Sequence, residues 1–291
     1  MKRFIGLIIC MLLLCSMSGL AYNITTEVEK TQIDDDVPIW DDGDAWRYNI
    51  GRLFFQLNQS GQFMNLDMLI DNLLTDVIGV SSTTYAVSIS GTIAGTFDYD
   101  DASGTTLGGI LFMTKVSGNL QIRQADLAAE EATIVIKSIA LLLEHPISLP
   151  IPIPIPLTIT ISIIQETPRP LIDFPLYDGK IGVIPETDLI TSIKVESIVL
   201  KILHIINSDF PEEIYIEQNV TLPMLLYSAT EEEITVSGGN YTAYNINFYE
   251  GLLGSIYYAP AAGNYVKAQA DISTPEIMLS IKGELKDTTY K

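Results

Sequence analysis

The side chains that could do chemistry are few. The chain of 291 residues has only two histidines, His145 and His204. A catalytic zinc site takes three protein ligands, commonly built on histidine or cysteine, and no His-Glu-x-x-His spacing occurs. Two isolated histidines read as structural or surface residues. No Gly-x-Ser-x-Gly elbow is present to carry a hydrolase serine. Ser90-Gly91 and Ser237-Gly238 read as strand and turn residues. No Gly-x-x-x-x-Gly-Lys loop or dinucleotide fingerprint is present to hold phosphates. Paired carboxylates can run a glycosidase. Here, however, Glu130-Glu131 and Glu231-Glu232-Glu233 are sequence neighbours, and neighbours on a strand point to opposite faces. They read as solvated runs. Glycosidases also tend to be rich in tryptophan for sugar stacking, and only Trp40 and Trp46 occur. The reading is a protein that is not an enzyme, with no catalytic residue, no cofactor and no resident metal.

Charge narrows the partners. Thirty-six acidic against sixteen basic residues give a net charge of −20. Loss of Lys2 and Arg3 with a cleaved leader would deepen this by two. Such a field repels phosphate backbones, so nucleic acid is excluded as a partner and anionic lipid headgroups are disfavoured. The acidity also keeps a chain that is 47% hydrophobic in solution. Cations are the plausible small ligands. Asp34, Asp35, Asp36, Asp41, Asp42 and Asp44 form one cluster, and Asp98, Asp100, Asp101 and Ser103 before Gly104 form another. Neither has the ligand spacing of a calcium-binding helix-loop-helix. The first reads as a solvated linker and the second as a hairpin turn.

The compartment is read from the first residues. Met1-Lys2-Arg3 precedes an apolar run from Phe4 to Leu14, the basic and hydrophobic parts of a secretory signal. Gly19 and Ala21 suit a peptidase that cuts after Ala21, which makes 1–21 a signal peptide. Two alternatives stay open: an uncleaved anchor, and lipid modification of Cys15, where Leu14 stands in place of the small residue such a site prefers. Cys10 and Cys15 are the only cysteines, so the mature chain has no disulfide and no thiolate metal site. A secreted protein, or one on the outer face of the cell envelope, is the expected product, with no transmembrane segment in its mature part. Four sequons, at Asn23, Asn58, Asn219 and Asn240, are then available for glycosylation.

The elements that would position any site are strands. Tyr85, Val87, Ile89, Ile93, Phe97 and Tyr99 share one parity, while Ser88, Ser90, Thr92, Thr96 and Asp98 share the other. That is the period of a strand with one buried face. Gly91 and Gly95 interrupt the apolar face, where glycine permits a bend or bulge. From Ile147 to Ile163 every odd residue is aliphatic, and Pro150, Pro152, Pro154 and Pro156 occupy even positions. All four prolines strip donors from the same edge, which predicts an edge strand. A polyproline segment is the competing conformation. Ile214, Ile216, Val220, Leu222, Met224 and Leu226 form a further run, and three more follow, divided by turns at Gly238-Gly239-Asn240, Glu250-Gly251 and Ala262-Gly263-Asn264. Segments 67–77 and 125–136 fit helical spacing equally well, so one or two short helices are expected. The predicted layout is a 22–45 acidic lead-in and a single β-rich domain over 46–287, with two sub-halves meeting near 170–190.

Several short motifs in the C-terminal third form a pattern. Gly238-Gly239-Asn240-Tyr241-Thr242-Ala243-Tyr244 is followed by Tyr257-Tyr258-Ala259-Pro260-Ala261-Ala262-Gly263-Asn264-Tyr265-Val266-Lys267. Upstream stand Phe174-Pro175-Leu176-Tyr177-Asp178-Gly179, and near the start Trp46 and Tyr48. The pattern resembles exported archaeal and bacterial proteins similar to the lipoprotein-carrier group; the tryptophan expected shortly after Gly179 is missing. The resemblance implies a strongly curved antiparallel sheet, a half-barrel or open barrel, with an apolar hollow and a lipid-like ligand. It implies no catalytic residue.

The expected function is therefore non-enzymatic binding of a lipid or other apolar ligand. The expected lining is Ile151, Ile153, Ile155, Leu157, Ile159, Ile161, Val87 and Ile89. The alternative is a structural or adhesive envelope protein with a filled core and no small-molecule ligand.

Overall fold

The 84–100 alternation is realised as written. In the computed structural model, Thr84–Asp100 is one strand, β3. Tyr85, Val87, Ile89 and Ile93 are buried, while Ser90, Thr92, Thr96 and Asp98 are exposed. At about 3.3 Å per residue it runs about 55 Å. Its neighbours match it: β1 (Ala45–Gln59), β2 (Gln62–Val80), β4 (Thr106–Arg123), β5 (Ala129–Glu144) and β6 (Ile153–Gln165) follow as a meander of hairpins. The structure describes residues 37–59, 62–100, 106–144, 153–170, 172–198, 201, 205, 212–222, 224–249, 253–273 and 277–290.

Both segments with helical spacing are strand where they are regular. Residues 67–77 lie within β2, and 129–136 lie within β5 after a turn. In β2 a bulge explains the mimicry. The register against β3 shifts between Asp71 and Leu74, and Asn72 takes a positive φ of 51°. The buried series Ile70, Leu73, Val77 therefore steps by three and four although the backbone is extended. An extra residue in one strand imitates the i, i+3 pattern of a helix. Among the described residues, helical backbone is confined to a 3-10 turn at Pro260–Ala262 and to Ile198, Lys201 and Ile205.

The proline-rich segment is a strand, and only part of it is an edge. β6 pairs with β5 from Ile153 to Ile164. On its other side β8 (Thr187–Ser197) pairs with Leu157 to Gln165 and stops there. Pro154 and Pro156 lie just beyond that end, where a missing N–H costs no ladder bond. The Ser197 hydroxyl donates to the Pro156 carbonyl at 2.9 Å, closing the ladder with a side chain. The edge expected for the whole segment thus holds for Pro154 and Pro156, while the threonine and isoleucine half is interior; Pro150 and Pro152 lie outside the described residues.

The remaining strands are β7 (Ile181–Ile184), β9 (Glu213–Leu222), β10 (Leu225–Val236), β11 (Gly239–Phe248), β12 (Leu253–Ala259), β13 (Asn264–Ser273) and β14 (Ile277–Thr288). All fourteen belong to one antiparallel sheet in the order β7-β10-β11-β12-β13-β14-β1-β2-β3-β4-β5-β6-β8-β9. Its two ends are adjacent. β7 and β8 are separated by Pro185 and Glu186, a span of at most about 11 Å between Ile184 and Thr187. β9 and β10 are separated by Pro223 and Met224. The pairing Thr187↔Leu222 continues across both links to Ile184↔Leu225 with no residue gained or lost. β7–β8 and β9–β10 are therefore one bent two-stranded ribbon. It joins β6 through β8 and β11 through β10, and so carries the sheet round on itself. Above the bend, β9 has no second strand neighbour among the described residues.

The core fills the end of this curl where Trp46, Tyr85, Ile122 and Ala129 lie. Residues 172–176, between β6 and β7, plug it, with Ile172, Phe174 and Leu176 buried. Trp40 corrects the expected boundaries. At 1% exposure it is core, inside what reads as a solvated lead-in. It packs on Trp46 and Tyr85 at 4.9 and 5.1 Å between ring centroids. An indole gains more from burial than the neighbouring aspartates lose, since they stay at the surface in a turn where Asp44 accepts from the Asp41 N–H.

Candidate functional site

The long strands rise past the core. Leu66 and Met68 on β2, Ile136 on β5 and Ile159 on β6 are half-buried and lie against its top. Beyond them on the same concave face are Phe97, Leu111, Leu157 and Ile155, also half-buried. The parity change within β4 is what brings Leu111 inside. Thr114, Val116, Leu120 and Ile122 face the core at even positions, and a register break between Phe112 and Lys115 transfers that face to odd ones.

Chemically this surface is aliphatic with a sparse band of hydroxyls. Thr114 and Ser138 share a buried hydrogen bond of 2.7 Å. Ser197, on β8, spends its proton on Pro156. Among the described residues of this upper wall no charged side chain lies on the concave face. Arg52, Lys115 and Lys137 are exposed on the convex side, and Lys194 is there too, bound to Glu196 and Glu213. A face with hydroxyls already engaged and no ion suits hydrocarbon better than a polar metabolite.

The expected lining divides in two. Ile155, Leu157 and Ile159 sit on the half-open wall. Val87, Ile89 and Ile161, at 3, 5 and 2% exposure, belong to the packed core and present no open surface. Ile153 is placed in β6 by its backbone; Ile151 lies outside the described residues. Leu66, Met68, Phe97 and Leu111 join the wall without having been singled out. Phe97 shares the parity of Val87, so its place was readable, whereas Leu111 is hidden by the β4 break.

Of the sequons, Asn219 is exposed on β9 and Asn240 is exposed at the β10–β11 hairpin, accepting from Thr235 at 2.8 Å. Asn58 lies in β1, and Asn23 is outside the described residues, as are His145, His204, Asp34–Asp36, Asp101 and Ser103. No group of three or more metal-ligating side chains occurs among the described residues. No helix there is long and apolar enough to cross a membrane.

The short motifs gather at one place, and that place is structural. Pro260–Ala262 is a 3-10 turn ended by Gly263 at φ 60°, a left-handed position that favours glycine. Trp46 donates its indole N–H to the Ala262 carbonyl at 2.6 Å, and Trp40 donates to Gly263 at 2.9 Å. Tyr48 donates to the Tyr265 carbonyl at 3.1 Å. Phe174 meets Tyr258 edge-on at 5.2 Å. Lys180 pairs with Asp173 at 3.1 Å and donates to the Pro175 carbonyl at 2.8 Å. Motif residues far apart in the chain thus lock the N-terminal strand onto the C-terminal meander.

Comparison of the chain with protein-family models, with curated proteins and with solved structures gave no match.

Proposed function

We propose that this is a non-enzymatic, exported protein that holds an apolar or lipid-like ligand against the concave upper wall of its sheet. The observation that carries this reading is the uncharged, half-exposed aliphatic face that rises above a filled core. An acyl chain laid along Ile155, Leu157 and Ile159 would cover apolar surface worth about 25 cal/mol per Å². The resemblance to lipoprotein-carrier proteins supports the same reading. The filled lower core, with Val87, Ile89 and Ile161 sealed, favours the second reading of a structural or adhesive envelope protein.

Native mass spectrometry of the protein purified from its own host separates the two. The carrier reading expects a lipid-sized adduct. It also expects Ile155→Asp with Leu157→Asp to strip that adduct while the far-ultraviolet circular dichroism is kept. A protein that carries no adduct, and whose double variant neither gains nor loses binding of a fluorescent acyl probe, would sink it.

A further inference from the structure

A ten-residue strand of the sheet carries an unguarded edge. β9 pairs with β8 at every residue from Glu213 to Leu222, with no shift of register, and has no second strand neighbour among the described residues. Half of its backbone N–H and C=O groups therefore point away from the ladder. Folded proteins blunt such an edge with proline, lysine or a bulge. β6 has Pro154 and Pro156 for this, whereas Glu213–Leu222 has no proline, no lysine and no bulge. Its two acids are already engaged. Glu213 binds Lys194 at 2.9 Å, and Glu217 accepts from the Tyr215 hydroxyl at 2.8 Å. Ile214-Tyr215-Ile216 adds strong strand propensity. An edge of this kind recruits other strands.

The same strand carries a sequon, Asn219-Val220-Thr221. Asn219 is exposed, at the parity of Tyr215 and Glu217. Its rung runs across β8 and β6 through Ile190, half-buried, to Ile164, 46% exposed. The amide thus meets solvent at an open edge and beside uncovered aliphatic surface.

We infer that Asn219 carries an N-linked oligosaccharide and that this sugar guards the β9 edge. Sugar transfer of this kind needs the exported location proposed above, and stands on that reading. In the transfer, the Asn219 amide nitrogen bonds to the anomeric carbon of a lipid-linked oligosaccharide. The bond from that carbon to its phosphate breaks, the lipid phosphate leaves, and the amide gives up one proton. Thr221 supplies the hydroxyl that completes the sequon. The product is bulky and solubilising. A further strand would have to lie about 4.8 Å from β9, inside the space an oligosaccharide sweeps from Asn219. The sugar also covers Ile190 and Ile164 on the same rung.

The test uses the chain secreted by its own host. Peptide mass spectrometry should find a saccharide mass on Asn219, and size-exclusion chromatography with light scattering should give a monomer. Thr221→Ser keeps the sequon and should keep both results. Thr221→Val and Asn219→Gln should each lose the sugar and give about twice the monomer's molar mass or more, with far-ultraviolet circular dichroism unchanged. Asn240→Gln, beside a hairpin turn, should leave the molar mass as it is. The unaltered sequence made in cells without the transferase should associate likewise, which separates loss of the sugar from any effect of substitution. A bare Asn219 in a chain recovered outside the cell would overturn the proposal and leave export standing. Bare protein that stays monomeric would overturn the guarding role. A chain retained in the cytoplasm would overturn export and the proposal together.

Discussion

Trp46 shows how much one side chain can hold. It is 1% exposed, stacks on Trp40 and Tyr290, and anchors the turn before Gly263. Trp46→Ala should cost about 3–5 kcal/mol, the range for large aromatic truncations. Trp46→Phe keeps most of the packing and leaves the Ala262 carbonyl without its donor, a loss of about 1–3 kcal/mol. Urea titration followed by circular dichroism orders the three proteins; equal midpoints for Trp46→Ala and wild type would refute the anchoring role. The residue scale is also where sequence reading was weakest. Trp40 sits among aspartates, and local composition outweighed the indole. The partner that buries it, the Gly263 turn, lies more than two hundred residues away, and nothing local announces it.

At the scale of elements, prolines divide β6 into a one-sided half and a two-sided half. Pro154→Thr with Pro156→Thr restores two N–H donors to an exposed edge. Such edges recruit other strands. We expect the double variant to form dimers or larger species in size-exclusion chromatography with light scattering, with circular dichroism unchanged. A monomer indistinguishable from wild type would show that these prolines do not guard the edge. Alternation read β3 and β6 correctly because each strand has one core-facing side. It faltered in β2, where a bulge moves that side from one parity to the other within the strand; β4, which was not singled out, carries a register break of the same kind. Periodicity registers a bulge as a change of structure, although the backbone stays extended. The concave wall was legible on β6 for the first reason, and its continuation on β4 was hidden for the second.

For the molecule as a whole, three tyrosines tie distant parts together as neutral phenols. Burial raises the pKa of Tyr48, with Tyr241 adding to it. Burial also raises Tyr227, whose neighbour Asp173 disfavours a second negative charge. Tyr290 is raised by burial and by Asp44. All three lie above the unperturbed value of 10.0. The folded state therefore retains protons that the unfolded chain releases. Their contribution is complete below pH 10 and is lost as pH rises from there toward the folded values. Urea midpoints should be level on approaching pH 10 and fall above it. Tyr48→Phe and Tyr227→Phe should each flatten that fall; an unchanged slope in both would dismiss the assignment.

The pairing of β1 with β14 sets an order of events. Trp46 lies opposite Thr288, so β1 has no partner on that side until residues 277–288 have been made. Contacts so far apart in sequence close slowly. Until they do, β1 and β2 can zip together and still leave both tryptophans without the turn that receives them. A ribosome or a translocation channel holding back residues 277–288 would hold open the seam between β1 and β14.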